Sequence, residues 1–220
     1  MLIKLIFHIL SPTLLIASIL KKVLDRTKVI KTLNGLYFWS AIVSVPLLFF
    51  NEIHSYYPKD LENETAVSIW MYLIFSRAIE IGYAFIKDAT DKVSPSPYSE
   101  SNLTFQDRVN LALKSYIELL FGFAILYNLS PTTWWCTIEE IGLKTCDSPD
   151  QIVSAIYFSG VTLTTLGYGD ITPVEIYPQF LTIVQVLVGF ALLIVSFAIY
   201  VGHGLSKGAI EDTSVHSDLS

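Results

Sequence analysis

The chain has 220 residues, of which 52% are hydrophobic and only 15% are charged, with a formal net charge of -6. The mean hydropathy of +0.53 lies outside the range of ordinary soluble domains. The composition therefore predicts a multi-pass membrane protein whose surroundings are lipid. Because the acidic residues gather in connecting segments and no basic tract resembles a phosphate-binding patch, nucleic acid is not an expected partner.

The first part of the chain, residues 1–87, is predicted to hold two or three N-terminal transmembrane helices. A spanning helix needs about 20 mostly apolar residues, and apolar segments occur at about 2–24, 36–50 and 66–86. The first segment is interrupted by polar residues and by the pair Ser11-Pro12. It therefore either spans with a kink or lies partly in the interface.

A basic cluster follows the first segment and predicts the orientation of the chain. Short loops rich in Lys and Arg stay on the cytoplasmic side, so residues 21–34 are expected inside. Alternation then places a flexible linker at 88–108 inside, the loop 130–177 outside and the C-terminus in the cytoplasm, in a plasma-membrane protein. The cluster consists of Lys21, Lys22, Arg26, Lys28 and Lys31.

Charges inside the predicted spans are few. Arg77 and Glu80 are spaced so that they share one helix face, and we expect them to neutralise each other as a structural ion pair. Glu118 should face protein, with a partner expected on the re-entrant or the inner helix of the pore described below. No helix carries basic residues at every third position, so a voltage sensor is not expected.

The remainder, residues 109–204, is predicted to be a pore domain that begins with an outer helix at 109–129. A short helix is expected at 149–163, because Ser148-Pro149-Asp150-Gln151 has the arrangement of a capping box. About fifteen residues cannot cross the bilayer, so this helix must be re-entrant and buried in protein.

The stretch 164–170, Thr-Thr-Leu-Gly-Tyr-Gly-Asp, is the most informative in the chain. A selectivity filter replaces the water around a cation by consecutive backbone carbonyls. Glycines at alternate positions allow the backbone conformations that this geometry needs. We expect a filter at 165–169 in which backbone oxygens and the Thr165 hydroxyl coordinate a permeant cation, with a ring of carboxylates at the outer mouth from Asp170. The ligands would be Thr165, Leu166, Gly167 and Tyr168, and Gly169 completes the filter.

The longer run 155–170 resembles the pore loop of potassium channels, and the resemblance extends from about residue 109 to 204. The family more often has Val where Leu166 stands, a position that contributes its carbonyl. The resemblance implies an all-α membrane protein with a tetrameric potassium-channel pore module. It also implies a homotetramer, since four filter loops surround the ion. Passive K+ conduction without enzymatic activity is expected, with permeant K+ ions and no other cofactor.

Residues expected to support the filter lie in and after the short helix. Tyr157 and Phe158 occupy the positions where the family places an aromatic pair that braces the filter tyrosine. Thr164 is the third residue expected to support the filter. Simple core packing is the alternative for the aromatic pair. Val161 stands where some family members have a carboxylate behind the filter, so this chain lacks that hydrogen-bonding group.

An inner helix is predicted at 178–202, after a second capping-box-like start at Thr172-Pro173-Val174-Glu175. Gly189 matches a glycine at which the inner helix of similar channels bends, with close packing as the alternative. An apolar lining could gate by dewetting. The residues expected to line this cavity and gate are Phe190, Leu193, Phe197 and Val201.

Cys136 and Cys146 both fall in the predicted outer loop, where they could form a disulfide or remain free thiols. Trp134 and Trp135 are interpreted as interfacial anchors of an aromatic belt. The short tail at 205–220 offers no room for a cytoplasmic ligand-binding domain of ordinary size.

Three alternatives to a potassium-selective channel stay open. The first is a weakly selective cation channel, against which Tyr168 argues. The second is a non-conducting regulatory subunit that assembles with other channel subunits, and auxiliary or heteromeric partners are part of this hypothesis. The third, a membrane enzyme or active transporter, lacks a nucleotide-binding loop, a metal-ligand cluster or paired intramembrane acids in the sequence.

Overall fold

The structure is a computed structural model. It contains six α-helices, one 3-10 turn at Thr132–Trp134 and three short strands in the described part of the chain. The elements in chain order are α1 (Pro12–Val23), α2 (Arg26–His54), α3 (Glu64–Val93), α4 (Phe105–Asn128), β1 (Trp135–Ile138), β2 (Lys144–Thr145), α5 (Ile152–Leu163), β3 (Ile171–Pro173) and α6, described over Ile176–Ile194. The structure describes residues 11–54, 64–93, 103–138, 144–145, 149 and 151–194.

Four of these helices, α2, α3, α4 and α6, are long and apolar enough to cross a membrane. The prediction of an all-α membrane protein is therefore confirmed. The strands add only a small three-stranded sheet. Helices α2 and α3 are the two long spans that precede the pore, and α4 to α6 contain the pore loop.

Helix α1 is short because the sequence sets its start at the Ser11-Pro12 pair. The Ser11 side chain accepts a hydrogen bond from the Leu14 amide, and Pro12 occupies the first turn, where no amide partner is needed. Twelve residues rise only about 18 Å, less than the hydrocarbon thickness. The earlier part of the predicted segment 2–24 lies outside the described residues.

Helix α2 begins much earlier than the predicted segment 36–50, so part of the basic stretch 21–34 is helical, which corrects the expectation of a loop. Asp25 provides the start signal: its Oδ1 accepts hydrogen bonds from the amides of Thr27 at 2.8 Å and Lys28 at 3.2 Å. Basic side chains of the first turns can keep their charged ends in water while their stems cover apolar surface.

The predicted linker at 88–108 is shorter than expected at both ends. Helix α3 continues to Val93, and α4 begins at Phe105, four residues before the expected start of the outer helix. A capping box sets this start: Thr104 Oγ1 accepts from the Asp107 amide, and the Asp107 carboxylate accepts from the Thr104 amide.

A buried cluster of charges joins α3 to α4. Arg77 Nη1 lies 3.1 Å from Glu80 Oε2, which confirms the predicted pair. Arg77 Nε also donates to Glu118 Oε1 at 2.7 Å. The partner expected for Glu118 on the re-entrant or inner helix was therefore wrong, because the guanidinium fork reaches both carboxylates from α3. The Tyr37 ring of α2 lies 4.5 Å from the guanidinium carbon and covers its other face.

The N-terminal helices pack loosely around this charge cluster. A cavity of about 390 Å³ lies among α1 to α4, and its lining is mostly apolar. At the contact of α1 with α3, three buried hydroxyls of Ser11, Thr13 and Ser76 hydrogen-bond to one another at 2.9 to 3.2 Å. These three hydroxyls are therefore paired with one another where α1 touches α3.

The three strands form one antiparallel sheet in the order β2-β1-β3 beside the filter segment. Trp135 faces Pro173 in the β1–β3 register, and Thr137 faces Ile171. Strand β3 follows Asp170 directly, so the chain enters the sheet as soon as it leaves the filter motif. The sheet was not predicted, although short runs rich in aromatic and β-branched residues at 134–137 and 171–172 carried a strand signal.

Candidate functional site: the pore loop

The pore helix α5 positions the filter motif. It begins at Ile152, later than the predicted Pro149, and its N-cap residue Gln151 makes no capping hydrogen bond through its side chain. The predicted capping box is therefore wrong for Gln151, and Ser148 lies outside the described residues. The helix is held by burial, since Ile152 and Ala155 are almost fully buried. Its twelve residues are too few to cross a bilayer, in agreement with a re-entrant helix.

The pore helix ends in a Schellman motif that places Thr165 in an unusual conformation. The Leu166 amide donates to the Val161 carbonyl and the Thr165 amide donates to the Thr162 carbonyl, both at 3.0 Å. This motif needs a left-handed residue at its turn, usually glycine, and here Thr165 has φ 59°. A β-branched residue in that conformation is strained, a state common at functional sites.

Beyond this turn, the filter segment continues with alternating backbone handedness. Gly167 has φ 57° and Gly169 has φ 77°, so positive angles recur at 165, 167 and 169. A Cβ added at either glycine would meet no atom within 4 Å. Both glycines are therefore required by the backbone conformation and not by lack of space.

The filter side chains lie at the surface of the single chain. Leu166 is 60% exposed and Tyr168 is 67% exposed, in contrast to the buried residues of the preceding pore helix. The filter segment is thus not covered by other parts of the same chain that the structure describes. No group of three or more His, Cys, Asp or Glu side chains arranged to hold a metal ion occurs among the described residues.

Two residues expected at the filter are linked directly. The Tyr157 hydroxyl of the pore helix hydrogen-bonds to the Asp170 carboxylate, and this bond raises the pKa of the Tyr157 hydroxyl. The contact joins the pore helix to the outer end of the filter motif. At the inner end, the Thr164 hydroxyl donates to the Gly160 carbonyl at 2.7 Å and so stays within its own helix.

Phe158 packs in an aromatic cluster behind the pore helix. Its ring centroid lies 5.0 Å from that of Tyr127 and 5.1 Å from that of Trp135, both nearly edge-on. In the single chain this matches the core-packing alternative for Phe158. Trp135 is completely buried and donates through Nε1 to Ser130 Oγ at 2.6 Å. Its predicted place in an interfacial aromatic belt is therefore wrong, because its ring fills the core.

A buried polar network, which the sequence interpretation missed, connects the three pore helices. Tyr127 of α4 donates to Gln185 Oε1 of α6 at 2.7 Å. Gln185 Nε2 donates to the carbonyl of Ser159 at 3.0 Å and to its hydroxyl oxygen at 2.7 Å. The Ser159 hydroxyl in turn donates to the Leu120 carbonyl at 2.7 Å. A lone amide within an apolar span was the signal that could have pointed to it.

Helix α6 begins at Ile176, two residues before the predicted start at 178 and not at the predicted capping box. Thr172 belongs to strand β3, where it faces Cys136, so it caps no helix. Gly189 lies against the end of the pore helix: a Cβ there would come within 2.5 Å of Leu163 Cδ1. This contact matches the close-packing alternative for Gly189, and α6 is helical on both sides of it.

The inner helix leaves one apolar face uncovered in the single chain. Phe190 is 59% exposed and Leu193 is 49% exposed, as expected for residues that line a cavity between subunits. Ile183, Leu187 and Ile194 extend the exposed apolar surface of the same helix. The other two predicted lining residues, Phe197 and Val201, lie outside the described residues.

The predicted disulfide also falls outside the described side chains. The backbone register of β1 and β2 pairs Thr137 with Thr145, each next to one of the two cysteines. The side chain of Cys136 and the whole of Cys146 lie outside the described part of the chain. Pairing of the two thiols therefore stays a prediction.

Comparison with known proteins defines the class of this site. Residues 117–202, which run from α4 through the filter motif and along α6, match a family model described as "Ion channel". This range includes the re-entrant helix, the filter motif and the two flanking spans, and the match supports an ion channel.

Two of the curated relatives are described as potassium channels. The chain is 31% identical to two-pore potassium channel 2 and 30% identical to two-pore potassium channel 3 of Arabidopsis thaliana, each over 81 residues, or 36% of this chain. It is 26% identical to protein LctB of Bacillus caldotenax over 87 residues, or 39% of this chain. The potassium channel pore family predicted from the sequence is thereby confirmed for this part of the chain.

The matches have a limited extent. The chain spans only 18% of the length of the two plant relatives and 64% of the length of LctB. No solved structure matches the chain significantly.

Proposed function

We propose that this chain is one subunit of a potassium-selective channel that conducts K+ passively through a pore formed by four copies. The observation that carries the proposal is the backbone of 165–169, with positive φ at Thr165, Gly167 and Gly169 in a motif typical of potassium channels. Alternating handedness is what allows successive carbonyls to face one side of an extended loop.

In this channel, four backbone carbonyls from each subunit and the Thr165 hydroxyl replace the water around K+. The C-terminal end of the pore helix carries partial negative charge and favours a cation in the cavity below the filter. At the outer mouth, four Asp170 carboxylates raise the local cation concentration. The ligands to K+ are Thr165, Leu166, Gly167 and Tyr168.

A homotetramer follows from the single pore loop in the chain, because one loop can contact an ion from one side only. The uncovered filter and the exposed apolar face of α6 support this assembly, since both would lie on the fourfold axis. Phe190 and Leu193 then line the cavity beneath the filter. Partners beyond further copies of the chain are not required by this proposal.

The proposed orientation places the filter entrance outside the plasma membrane and the C-terminus in the cytoplasm. Lys31 Nζ of α2 pairs with Asp107 Oδ1 of α4 at 2.8 Å, so the first turns of these two spans lie at the same end of the molecule. The basic residues at this end favour the cytoplasmic side. The pore loop joins the C-terminal end of α4 to the N-terminal end of α6, on the side of the membrane away from these basic residues.

The decisive experiment is a flux assay on the purified chain reconstituted into liposomes, with K+ and Na+ gradients measured separately. K+ flux well above Na+ flux is the expected result. Equal fluxes would contradict the selectivity and favour the weakly selective channel. An assembled tetramer without flux would favour a regulatory subunit.

Replacement of Gly167 by Ala tests the filter assignment against a matched control. Gly167 has φ 57°, so Ala is strained there although space is free, and K+ flux should be lost while assembly is kept. Gly35 of α2 also has open space around a new Cβ but no positive φ. Gly35→Ala should therefore conduct like the natural chain, and equal flux in both variants would show that the filter lies elsewhere.

A further inference from the structure

The side chain of Gln185 is a polar group in a place where it is costly. It is 0% exposed and lies between the apolar residues Val184 and Val188 of the inner helix, which are also buried. A buried amide without partners costs free energy, so its retention requires hydrogen bonds. Both its ends are satisfied, since Oε1 accepts from Tyr127 and Nε2 donates to two atoms of Ser159.

These hydrogen bonds converge on the pore helix behind the filter. Gln185 touches Ser159 of α5, and Ser159 donates to the Leu120 carbonyl of α4. One glutamine side chain therefore ties all three helices of the pore module together. Two residues before Ser159, Tyr157 holds the Asp170 carboxylate at the outer end of the filter motif.

A second contact between the same helices lies one turn further along both. Gly189 of α6 packs against Leu163 of α5, and both residues are four positions beyond Gln185 and Ser159. The polar contact and the close apolar contact form one seam between the inner helix and the end of the pore helix. Leu163 is followed directly by Thr164 and the strained Thr165. A shift of α6 along this seam would therefore act on the residues where the filter begins.

We propose that Gln185 is a positioning residue for selectivity: by holding the pore helix through Ser159, it keeps the filter in its conducting conformation. This inference rests on the proposed function. The position of the carboxylate found behind the filter in some similar channels is occupied by Val161, which is buried and apolar. Gln185 provides the buried polar support from the inner helix instead.

The test uses the full chain reconstituted as a tetramer in liposomes. Gln185→Leu keeps the approximate volume but leaves the hydroxyls of Tyr127 and Ser159 without this partner. We expect the K+/Na+ flux ratio to fall at least about tenfold, because losing one buried hydrogen bond can change an equilibrium or a rate by about that factor and this variant removes three. Tyr127→Phe keeps the aromatic ring and removes only the hydrogen bond to Oε1, and it should reduce the ratio less. The double variant should lose no more than Gln185→Leu alone, because both changes break the same network.

A second readout separates positioning from general stability. K+ that binds the assembled filter should raise the melting temperature of the tetramer relative to the same concentration of Na+. This K+-specific stabilisation should shrink in Gln185→Leu. Ser76→Ala is the matched control. The Ser76 hydroxyl is as buried as the Gln185 amide, but it belongs to a polar cluster on α3, away from the filter. It is expected to lower the melting temperature without changing the flux ratio or the K+-specific shift.

The results distinguish the inference from the proposed function. If the natural chain is selective and Gln185→Leu has the same flux ratio and the same K+-specific shift, the inference is wrong and the proposed function stands. If Ser76→Ala reduces selectivity as much as Gln185→Leu, the effect is one of stability and the inference is also overturned. If Gln185→Leu does not assemble, Tyr127→Phe decides by the same criteria. A natural chain without selective flux contradicts the proposed function itself.

Discussion

The two halves of the molecule bury their spanning helices to very different extents. The α2 span is 6% buried within the chain, whereas the α4 span is 50% buried. Helix α2 thus exposes most of its surface and packs mainly against α4, whereas α4 also packs against α3, the pore helix and α6. In the N-terminal half, local charge and hydroxyl clusters hold the helices around a cavity. In the pore half, aromatic rings and one hydrogen-bonded network fill the interior. Burial within the chain is therefore concentrated around α4 and the pore helix.

The largest effect is expected from Arg77→Leu, which tests how much the N-terminal half depends on its charge cluster. The change leaves the buried carboxylates of Glu80 and Glu118 without their cation, and loss of one partner from a buried ion pair costs about 3–5 kcal/mol. Thermal unfolding in detergent measures the loss.

A control for Arg77→Leu is Lys31→Ala, which removes an exposed ion pair to Asp107. Exposed pairs commonly contribute nothing measurable to stability. Equal destabilisation by the two changes would show that burial of the Arg77 cluster is not what makes it important.

A smaller effect is expected from Gly189→Ala, which tests the tight packing of the pore half. The new Cβ would meet Leu163 Cδ1 at 2.5 Å, and Leu163 must shift to make room. Overpacking of this kind costs about 1–3 kcal/mol. In a double-mutant cycle, Gly189→Ala should destabilise less in a Leu163→Ala background than in the natural chain, and an equal cost in both backgrounds would contradict the contact. Gly35→Ala, in open space, is the control.

The smallest effect, of opposite sign, is expected from Thr165→Gly. Glycine relieves the left-handed strain, worth about 1–2 kcal/mol, but adds chain entropy that costs about 0.5–1 kcal/mol, so the net gain in stability is at most about 1.5 kcal/mol. Because the hydroxyl proposed to bind K+ is lost, K+ should stabilise this variant less than the natural tetramer. Thr164→Gly is the control, since Thr164 is right-handed, and it should only destabilise.

The comparison also explains what the sequence could predict. The filter motif and the apolar spans are local signals, so the membrane class and the channel family followed from short stretches. The partner of Glu118 did not, because Arg77 is 41 positions away and nothing in either stretch specifies the contact. Asp25 and Thr104 are typical N-cap residues, and they could have predicted the starts of α2 and α4.

The site shows the same division between local and distant effects. Gly167 and Gly169 were recognisable from the motif as positions where a left-handed backbone is allowed. Thr165 could not, because its conformation depends on how the Schellman motif ends the pore helix. The burial of Trp135 depends on Tyr127 of α4 and Phe158 of α5. The local sequence alone does not distinguish this buried tryptophan from one exposed at a membrane boundary.

The sheet behind the outer mouth has a consequence for how the filter can change. The inner end of the filter segment is fixed by the hydrogen bonds that close the pore helix. Its outer end is fixed by strand β3, which starts at the residue after Asp170. The short filter segment between these two points is therefore fixed at both ends. Because it cannot move away from the axis as a whole, any switch between conducting and closed states of the filter would have to occur by rotation of individual peptide planes.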